Sequence, residues 1–174
     1  MRTHEIRKAL GFELKHTKVK TYYVLARNHF NEKIFHKFPL AVVINTDSWP
    51  GKGLHWVGVF YDRHRRPIFF DSLGKSPKYY DINIKPYEWN KKSYQGNSDL
   101  CGQYTLLFIK YMSRGLKLKE FQQLFSKNKE RNDALIRQYF NRHLPIHDSI
   151  STKEVDQSCI TNCSNGQRQR YVRL

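Results

Sequence analysis

The sequence is poor in cysteine and in long apolar stretches. Three cysteines in 174 residues are too few, and odd in number, for a fold held by disulfides, and they indicate a reducing compartment. The longest aliphatic run, Leu40 to Ile44, has five residues. A transmembrane helix needs about 20 apolar residues. The first residues include Arg2, Glu5 and Arg7 and lack the apolar block of a secretory signal. These absences predict an intracellular protein with no membrane segment.

Acidic residues are also scarce relative to basic ones. The chain has 31 Lys and Arg against 15 Asp and Glu, a formal charge of +16. The excess is spread along the whole chain, so it describes a broad positive surface that attracts polyanions. The alternative is that these charges only keep the protein soluble. With 39% hydrophobic residues the chain is too apolar to be disordered. We therefore expect a folded domain that contacts nucleic acid without base specificity.

Hydrophobic patterning predicts one α+β domain over residues 1–150, followed by a polar basic tail over residues 151–174. In the first part we expect a helix from Thr3 to Leu10 stopped by Gly11, irregular loop with short extended pieces over residues 22–38, strands at 40–46, 55–61 and 67–71, and a short strand at 82–84. In the second part we expect a buried helix from Gly102 to Gly115, helical spacing over residues 118–125, and a further helix through residues 135–140 that Asp133 caps.

Cys101 stands where a polar turn passes into the buried helix. A thiol at a helix N-terminus is favoured as thiolate by the aligned peptide dipoles, which lowers its pKa. Gly102 allows the backbone to approach a bound substrate closely. A lone cysteine is more often a structural core residue, so a nucleophilic role requires a partner base.

His55 and Asp71 are the partners that the pattern offers. His55 enters an apolar strand where a histidine has no packing role, and Asp71 ends the next strand, where a carboxylate could orient the imidazole. Asp71 could also be a simple turn former. If Tyr61 pairs with Ile68, His55 lies about 10 Å further along the ladder than Asp71 and on the other pleat face. On that register the two residues meet only if His55 leaves the regular strand or a bulge intervenes.

Four motifs in order resemble the adenovirus protease (adenain) family. They are the strand Pro39 to Thr46, the pair His55-Trp56, the segment Phe69 to Gly74, and the box from Gln95 to Gly102. Similar sets occur in the related SUMO and ubiquitin-like proteases. The resemblance implies a papain-like, adenain-like cysteine protease fold. Such a fold has a central mixed or antiparallel sheet and a buried helix with the nucleophile at its N-terminus.

The resemblance also implies a role for each site residue. Cys101 is the nucleophile, His55 the general base and acid, and Asp71 the residue that orients His55. Gln95 and the backbone N–H of Cys101 form the oxyanion hole. The reaction is then peptide hydrolysis through a thioester acyl-enzyme. This chemistry requires no cofactor and no metal; DNA and a peptide activator are the accessory molecules that the family suggests.

The sequence departs from the adenoviral pattern in the region between Asp71 and Gln95. Adenoviral enzymes usually have Glu where this chain has Asp71. The intervening stretch is shorter here and contains no cysteine, so an activating peptide is not expected to attach through a disulfide there. Gln95 and Cys101 are six positions apart, as in the SUMO proteases. We interpret the chain as a divergent relative from a virus or a virus-like transposon.

Three functions fit these features. The first is a monomeric viral protease that processes capsid or core precursors next to glycine. It would be associated with DNA in the host nucleus or viral factory and be packaged in the virion. The second is a protease that removes ubiquitin-like or SUMO-like modifiers. The third is a non-enzymatic DNA-binding protein.

The C-terminal part also offers zinc-like spacings. His143 and His147, and Cys159 and Cys163, are each four positions apart, which a zinc site accepts. Pro145 lies between the histidines, and the cysteines stand in polar chain. We therefore favour free thiols or an activating disulfide over a metal.

Overall fold

The fold is an α+β arrangement built around one sheet. The computed structural model describes residues 1–143. Its helices and strands are α1 (Thr3–Leu14), β1 (Thr21–Ala26), β2 (Leu40–Asn45), β3 (Trp56–Tyr61), β4 (Pro67–Phe70), β5 (Glu88–Trp89), α2 (Cys101–Ser113), α3 (Leu118–Gln122) and α4 (Lys129–His143). Single 3-10 turns lie at Arg27–His29, Glu32–Ile34 and Pro77–Tyr80. The α+β class predicted from the sequence is confirmed.

The strands form one mixed sheet in the order β1-β2-β3-β4-β5. The β1–β2 and β4–β5 pairs are parallel, and the β2–β3 and β3–β4 pairs are antiparallel. Helices cover one face of the interior strand β2, and Phe35 and Ile82 pack on the other. A strand buried on both faces has no solvent-facing positions, which explains the continuous apolar run of β2.

Helix α2 packs directly on β3. The Thr105 hydroxyl donates to the Trp56 carbonyl at 3.1 Å. A Cβ added at Gly58 would lie only 2.9 Å from the Phe108 ring, so this glycine permits the close approach of helix and strand. The contact fixes the start of α2 beside the start of β3. It thereby sets where Cys101 lies relative to His55.

The helix boundaries differ from the predictions in three places. Helix α1 continues through Gly11 to Leu14 because packing of its last turn outweighs the low helix propensity of glycine; Leu14 is 2% exposed. Helix α3 ends at Gln122, before Leu124 and Phe125. Asp133 lies inside α4 and is not its cap.

Two extended segments differ from the expectation. Residues 22–38 were expected to be irregular loop with short extended pieces, and they contain most of one regular strand, β1, with residues 23–26 all buried. Burial on both faces removed the alternation that would have marked this strand. Residues 82–84 are not a strand: Ile82 donates to the Pro77 carbonyl and packs on the sheet. The short fifth strand is Glu88–Trp89 instead.

The register of the β3–β4 hairpin differs by one residue from the one assumed. Tyr61 pairs with Pro67 and Gly58 pairs with Phe70. Extending this ladder places Asp71 opposite Val57, two positions from His55. Because side chains alternate with period two, the one-residue change moves Asp71 to the pleat face that His55 shares. The expected conflict between the two residues therefore does not arise.

The predicted tail, residues 151–174, lies outside the described residues, as do His147, Cys159 and Cys163. The side chain of His143 is likewise not described, so the zinc-like spacings have no structural counterpart to report. Within residues 1–143, no helix combines the length and hydrophobicity needed to cross a membrane.

Candidate active site

His55 and Asp71 meet at one end of the β3–β4 hairpin. His55 immediately precedes β3, and its carbonyl accepts the Thr46 N–H at 2.8 Å, which continues the β2–β3 ladder. Asp71 immediately follows β4. His55 Nε2 lies 2.6 Å from Asp71 Oδ1. The Asp71 side chain is fully buried and that of His55 is 11% exposed, so their interaction is shielded from solvent.

The turn before His55 is fixed by Asn45. Its Oδ1 accepts the N–H groups of Asp47 and Leu54, at 2.9 and 3.2 Å. Gly53 has a φ of +88°, and a Cβ there would lie 2.5 Å from Asn45 Nδ2. This position therefore requires glycine. The turn delivers His55 to the start of β3 in one orientation.

Several donors surround the Asp71 carboxylate. Oδ1 also accepts the Leu73 N–H at 3.0 Å, and Oδ2 accepts the Lys75 N–H at 2.7 Å and the Tyr80 hydroxyl at 3.0 Å. Hydrogen bonds of this kind stabilise a buried charged carboxylate. The Tyr80 ring lies 5.8 Å from the His55 ring, centroid to centroid. Tyr80 thus contacts both members of the pair.

Asn90 holds the main chain of Asp71. Its Oδ1 accepts the Asp71 N–H at 2.9 Å, and its Nδ2 donates to the Asp71 carbonyl at 2.6 Å and the Lys92 carbonyl at 3.0 Å. Asn90 is fully buried. Sequence reasoning missed Asn90 and Tyr80, since both lie in a stretch without periodicity. A polar Asn directly after an aromatic-rich segment was the only signal.

Cys101 is the first residue of α2 and is 9% exposed. Burial raises the pKa of its thiol, but the interaction with the His55 side chain and the Trp56 N–H outweigh this and hold the pKa below its usual value. The position at a helix N-terminus also favours the thiolate. Cys101 is thus placed as a reactive thiol.

His55 is the partner that makes this possible. Burial lowers the pKa of His55, but the bonds to Asp71 and Cys101 outweigh it and raise the pKa to about 9. Because Nε2 faces Asp71, Nδ1 is the ring nitrogen left for the thiol. The pKa of His55 is raised and that of Cys101 is lowered, so both shifts favour the charged form of the group, and Asp71 contacts His55 on the other ring nitrogen.

Gln95 is buried in the turn that leads to α2, at 5% exposed. Its Oε1 accepts the Ser72 hydroxyl at 2.6 Å, and its Nε2 donates to the Ser98 carbonyl at 2.5 Å. The described hydrogen bonds of Gln95 thus go to the loop after Asp71 and to its own turn. An amide nitrogen carries two N–H groups, so one of them remains beside the bond to Ser98.

The structure brings three predicted residues, Cys101, His55 and Asp71, into one chain of contacts, and it connects Gln95 to the residue after Asp71. The roles assigned to them remain predictions. Within the part of the chain that the structure describes, no group of three or more His, Cys, Asp or Glu is arranged to hold a metal ion.

Comparisons with known proteins gave one sequence match. The chain is 33% identical over 92 residues to a protein of Acanthamoeba polyphaga mimivirus named "Putative thiol protease". The match covers 44% of this chain and 30% of the mimivirus protein, so the chain spans less than a third of that relative. No protein-family model matches the sequence. The mimivirus match supports the resemblance to the adenain-like cysteine protease family that the four motifs indicate.

Two of the solved structures that the comparison returned have TM-scores below 0.5. The ASFV protease is 23% identical, with a TM-score of 0.39, over 56% of this chain and 42% of that chain. The central domain of an uncharacterized Legionella pneumophila protein is 16% identical, with a TM-score of 0.43, over 82% of this chain and 94% of that chain.

Proposed function

We propose that the chain is a cysteine endopeptidase of viral type. The observation that carries the proposal is the buried chain of contacts from Cys101 through His55 to Asp71, in which the pKa of the thiol is lowered and that of the imidazole is raised. A lone core cysteine would have no such partner. The similarity to a mimivirus protein named as a thiol protease supports the same activity.

The geometry suggests how the residues would divide the reaction. The Cys101 thiolate attacks the peptide carbonyl carbon and forms a C–S bond while the carbonyl electrons move to oxygen. The C–N bond then breaks, and the leaving amine takes the proton from His55 Nδ1. In the second step, water attacks the thioester and gives a proton to His55, and cleavage of the C–S bond restores the thiolate–imidazolium pair. Asp71 stays ionised and stabilises the imidazolium throughout.

We further propose that the substrates are precursor proteins of a virus particle and that DNA holds the enzyme near them. The support is electrostatic. Arg63, His64, Arg65 and Arg66 are exposed at the β3–β4 turn. This turn is at the end of the hairpin opposite His55 and Asp71. Phosphates bound there would leave the active-site end open to protein substrates. The expected setting is a monomer in the nucleus or viral factory, packaged in the virion.

The test is cleavage of a glycine-containing peptide library and of viral core precursors, with and without DNA, over a salt series. Cys101→Ala should abolish cleavage and leave the melting temperature nearly unchanged. Ser113→Ala is the matched control in the last turn of the same helix, where the Ser113 hydroxyl donates to the Lys110 carbonyl at 2.8 Å, and it should cleave normally. Cleavage by Cys101→Ala at the wild-type rate would refute the mechanism. Stimulation by DNA that does not fall with salt would refute the proposed role of DNA.

A second candidate is a protease that removes SUMO-like or ubiquitin-like modifiers. The interval of six positions from Gln95 to Cys101 favours it, because this spacing resembles that of the SUMO proteases. Modifier–fluorophore conjugates that end in Gly-Gly separate the two candidates. Release of the fluorophore without cleavage of core precursors would favour the modifier protease. Failure of Cys101 to react with a peptide-based electrophile would instead favour a non-enzymatic DNA-binding protein.

A further inference from the structure

Ser72 connects the residue that orients the base to the residue expected to bind the oxyanion. It directly follows Asp71 and is fully buried. Its hydroxyl donates to Gln95 Oε1 at 2.6 Å. Its carbonyl accepts the N–H groups of Tyr94 and Gln95, at 2.8 and 3.1 Å. One residue thus binds both the main chain and the side chain of Gln95.

The contacts of the Gln95 amide select one of its two orientations. The Ser98 carbonyl only accepts hydrogen bonds, so the end of the amide that faces it must be Nε2. Oε1 then faces Ser72, whose hydroxyl donates to it. Without that hydroxyl the buried Oε1 would lose this donor, and the amide could rotate away from the orientation in which Nε2 is presented.

Helix α4 holds the same segment on both sides of Gln95. Asn132 Nδ2 donates to the Tyr94 carbonyl at 3.0 Å, and the Asp133 carboxylate accepts the Gly96 N–H at 3.2 Å. Both side chains are buried, at 2% and 4% exposed. The main chain around Gln95 is therefore held by contacts that do not involve the Ser72 hydroxyl, which leaves the orientation of the Gln95 side chain as the property that this hydroxyl controls.

We propose that Ser72 is a positioning residue that holds the Gln95 amide in the orientation that donates to the oxyanion. The inference rests on the proposed protease function. Through adjacent residues, one short loop then orients both parts of the site: Asp71 positions His55, and Ser72 positions Gln95. Ser72 itself does not touch the reacting atoms.

The experiment is a double-mutant cycle with Ser72→Ala and Gln95→Ala in the full chain. Loss of an oxyanion donor typically lowers kcat by about 10²–10³-fold. We expect Ser72→Ala alone to lower kcat by about 10- to 100-fold with KM little changed, and to have no further effect when combined with Gln95→Ala. Ser93→Ala is the matched control. Its hydroxyl donates to the main-chain carbonyl of Gln95, at 3.5 Å, rather than to the Gln95 side chain. The kcat of Ser93→Ala should therefore stay at the wild-type value.

Alkylation of Cys101 by iodoacetamide distinguishes positioning from general damage, because alkylation needs the thiolate and no oxyanion hole. We expect the alkylation rate and its pH profile to be unchanged in Ser72→Ala. A fall in alkylation parallel to kcat, or a further loss in the Gln95→Ala background, would show that Ser72 is only structural. If the wild type is active and Ser72→Ala has full activity, the positioning role of Ser72 is refuted while the proposed protease function stands. A wild-type chain that is alkylated but cleaves nothing would refute the proposed function, and the oxyanion role with it.

Discussion

The two ends of the β3–β4 hairpin each carry an aspartate with several hydrogen-bond donors, yet only one of them faces a histidine. Asp62 follows β3 at the turn and accepts the His64 and Arg66 N–H groups and the Arg66 guanidinium. Its side chain is 18% exposed, while that of Asp71 at the other end is fully buried.

The number of hydrogen-bond donors around a carboxylate is therefore not enough to give it a catalytic role. Burial is the largest single effect and raises the pKa of Asp62, but the Arg66 and His64 bonds and the Arg66 charge together lower the pKa below its usual value, and the carboxylate closes the turn. At Asp71 the donors are neutral main-chain and tyrosine groups, and the cationic partner is His55. The buried charge is therefore directed at one titratable group, which acts in turn on Cys101.

Replacement of each aspartate in turn should show the largest difference between the two ends of the hairpin, in both stability and kcat. Asp71→Ala leaves the Tyr80 hydroxyl and two main-chain N–H groups without this acceptor, so we expect a loss of about 3–5 kcal/mol in the free energy of unfolding. Asp71→Asn should keep the fold better and lower kcat by about 10³–10⁴-fold, because the imidazolium loses its counter-charge. Asp62→Ala should cost far less stability and leave kcat unchanged. Urea unfolding and peptide cleavage measure both, and equal effects at the two ends would contradict the distinction.

Asn90 tests whether the Asp71 main chain must be held. In Asn90→Asp the Oδ1 contact is retained, but a carboxylate oxygen would face the carbonyls of Asp71 and Lys92. We expect a loss of about 1–3 kcal/mol in stability and of roughly tenfold in kcat. Asn128→Asp is the matched control, since its side chain only accepts the Arg131 N–H at 2.8 Å on the surface. Thermal melts and cleavage rates should show a larger loss of stability and of kcat in Asn90→Asp than in Asn128→Asp.

The pH dependence of activity tests whether Asp71 acts on Cys101 through His55. The pKa of His55 is raised to about 9, so the imidazolium needed by the leaving amine is lost only as the pH rises through about 9. The stabilisation from His55 protonation is fully present below the unfolded-state pKa of about 6.5 and is lost between there and about 9. Activity should therefore have an alkaline limb near 9, and Asp71→Asn should move it to lower pH. An unchanged limb in that variant would exclude Asp71 as a cause of the raised pKa.

The β3–β4 turn should contribute to DNA affinity and have little effect on the rate of peptide cleavage. We expect Arg63→Gln/Arg65→Gln to weaken binding to duplex DNA at low salt and to reduce the slope of log affinity against log salt by about 2. Cleavage of a short peptide without DNA should be unaffected. Lys117→Gln/Lys119→Gln, at exposed positions around α3, removes the same charge and should weaken binding less. Equal losses in fluorescence anisotropy titrations would mean that the positive surface binds DNA without a preferred end.

Much of the site was predictable because its residues interrupt apolar strands or open a buried helix. His55, Asp71 and Cys101 each appear as a polar or reactive group at the end of an element whose pattern is strong. Their mutual contact was not predictable, because it depends on a hairpin register that differs by one residue from the assumed one. The length of the turn from Asp62 to Arg66 does not determine that register.

The remaining errors arose where tertiary contacts override local signals. Gly11 is a helix stop by propensity, but the packed residues that follow it extend α1. Asp133 looks like a helix cap in the sequence. In the structure its carboxylate instead accepts a hydrogen bond from the hydroxyl of Tyr104 in α2, at 2.8 Å. Asn90 and Ser72 support the site through main-chain and amide contacts that leave no periodic trace in the sequence.

The placement of the base and the acid on one hairpin has a consequence for the order in which the site is assembled. His55 and Asp71 are 16 positions apart, whereas Cys101 follows 30 positions later on a helix that must first pack on β3. During synthesis the hairpin is complete before the nucleophile has been added to the chain. Cys101 can contact His55 only after α2 has docked on β3, so on the proposed function the unfinished chain lacks the complete site.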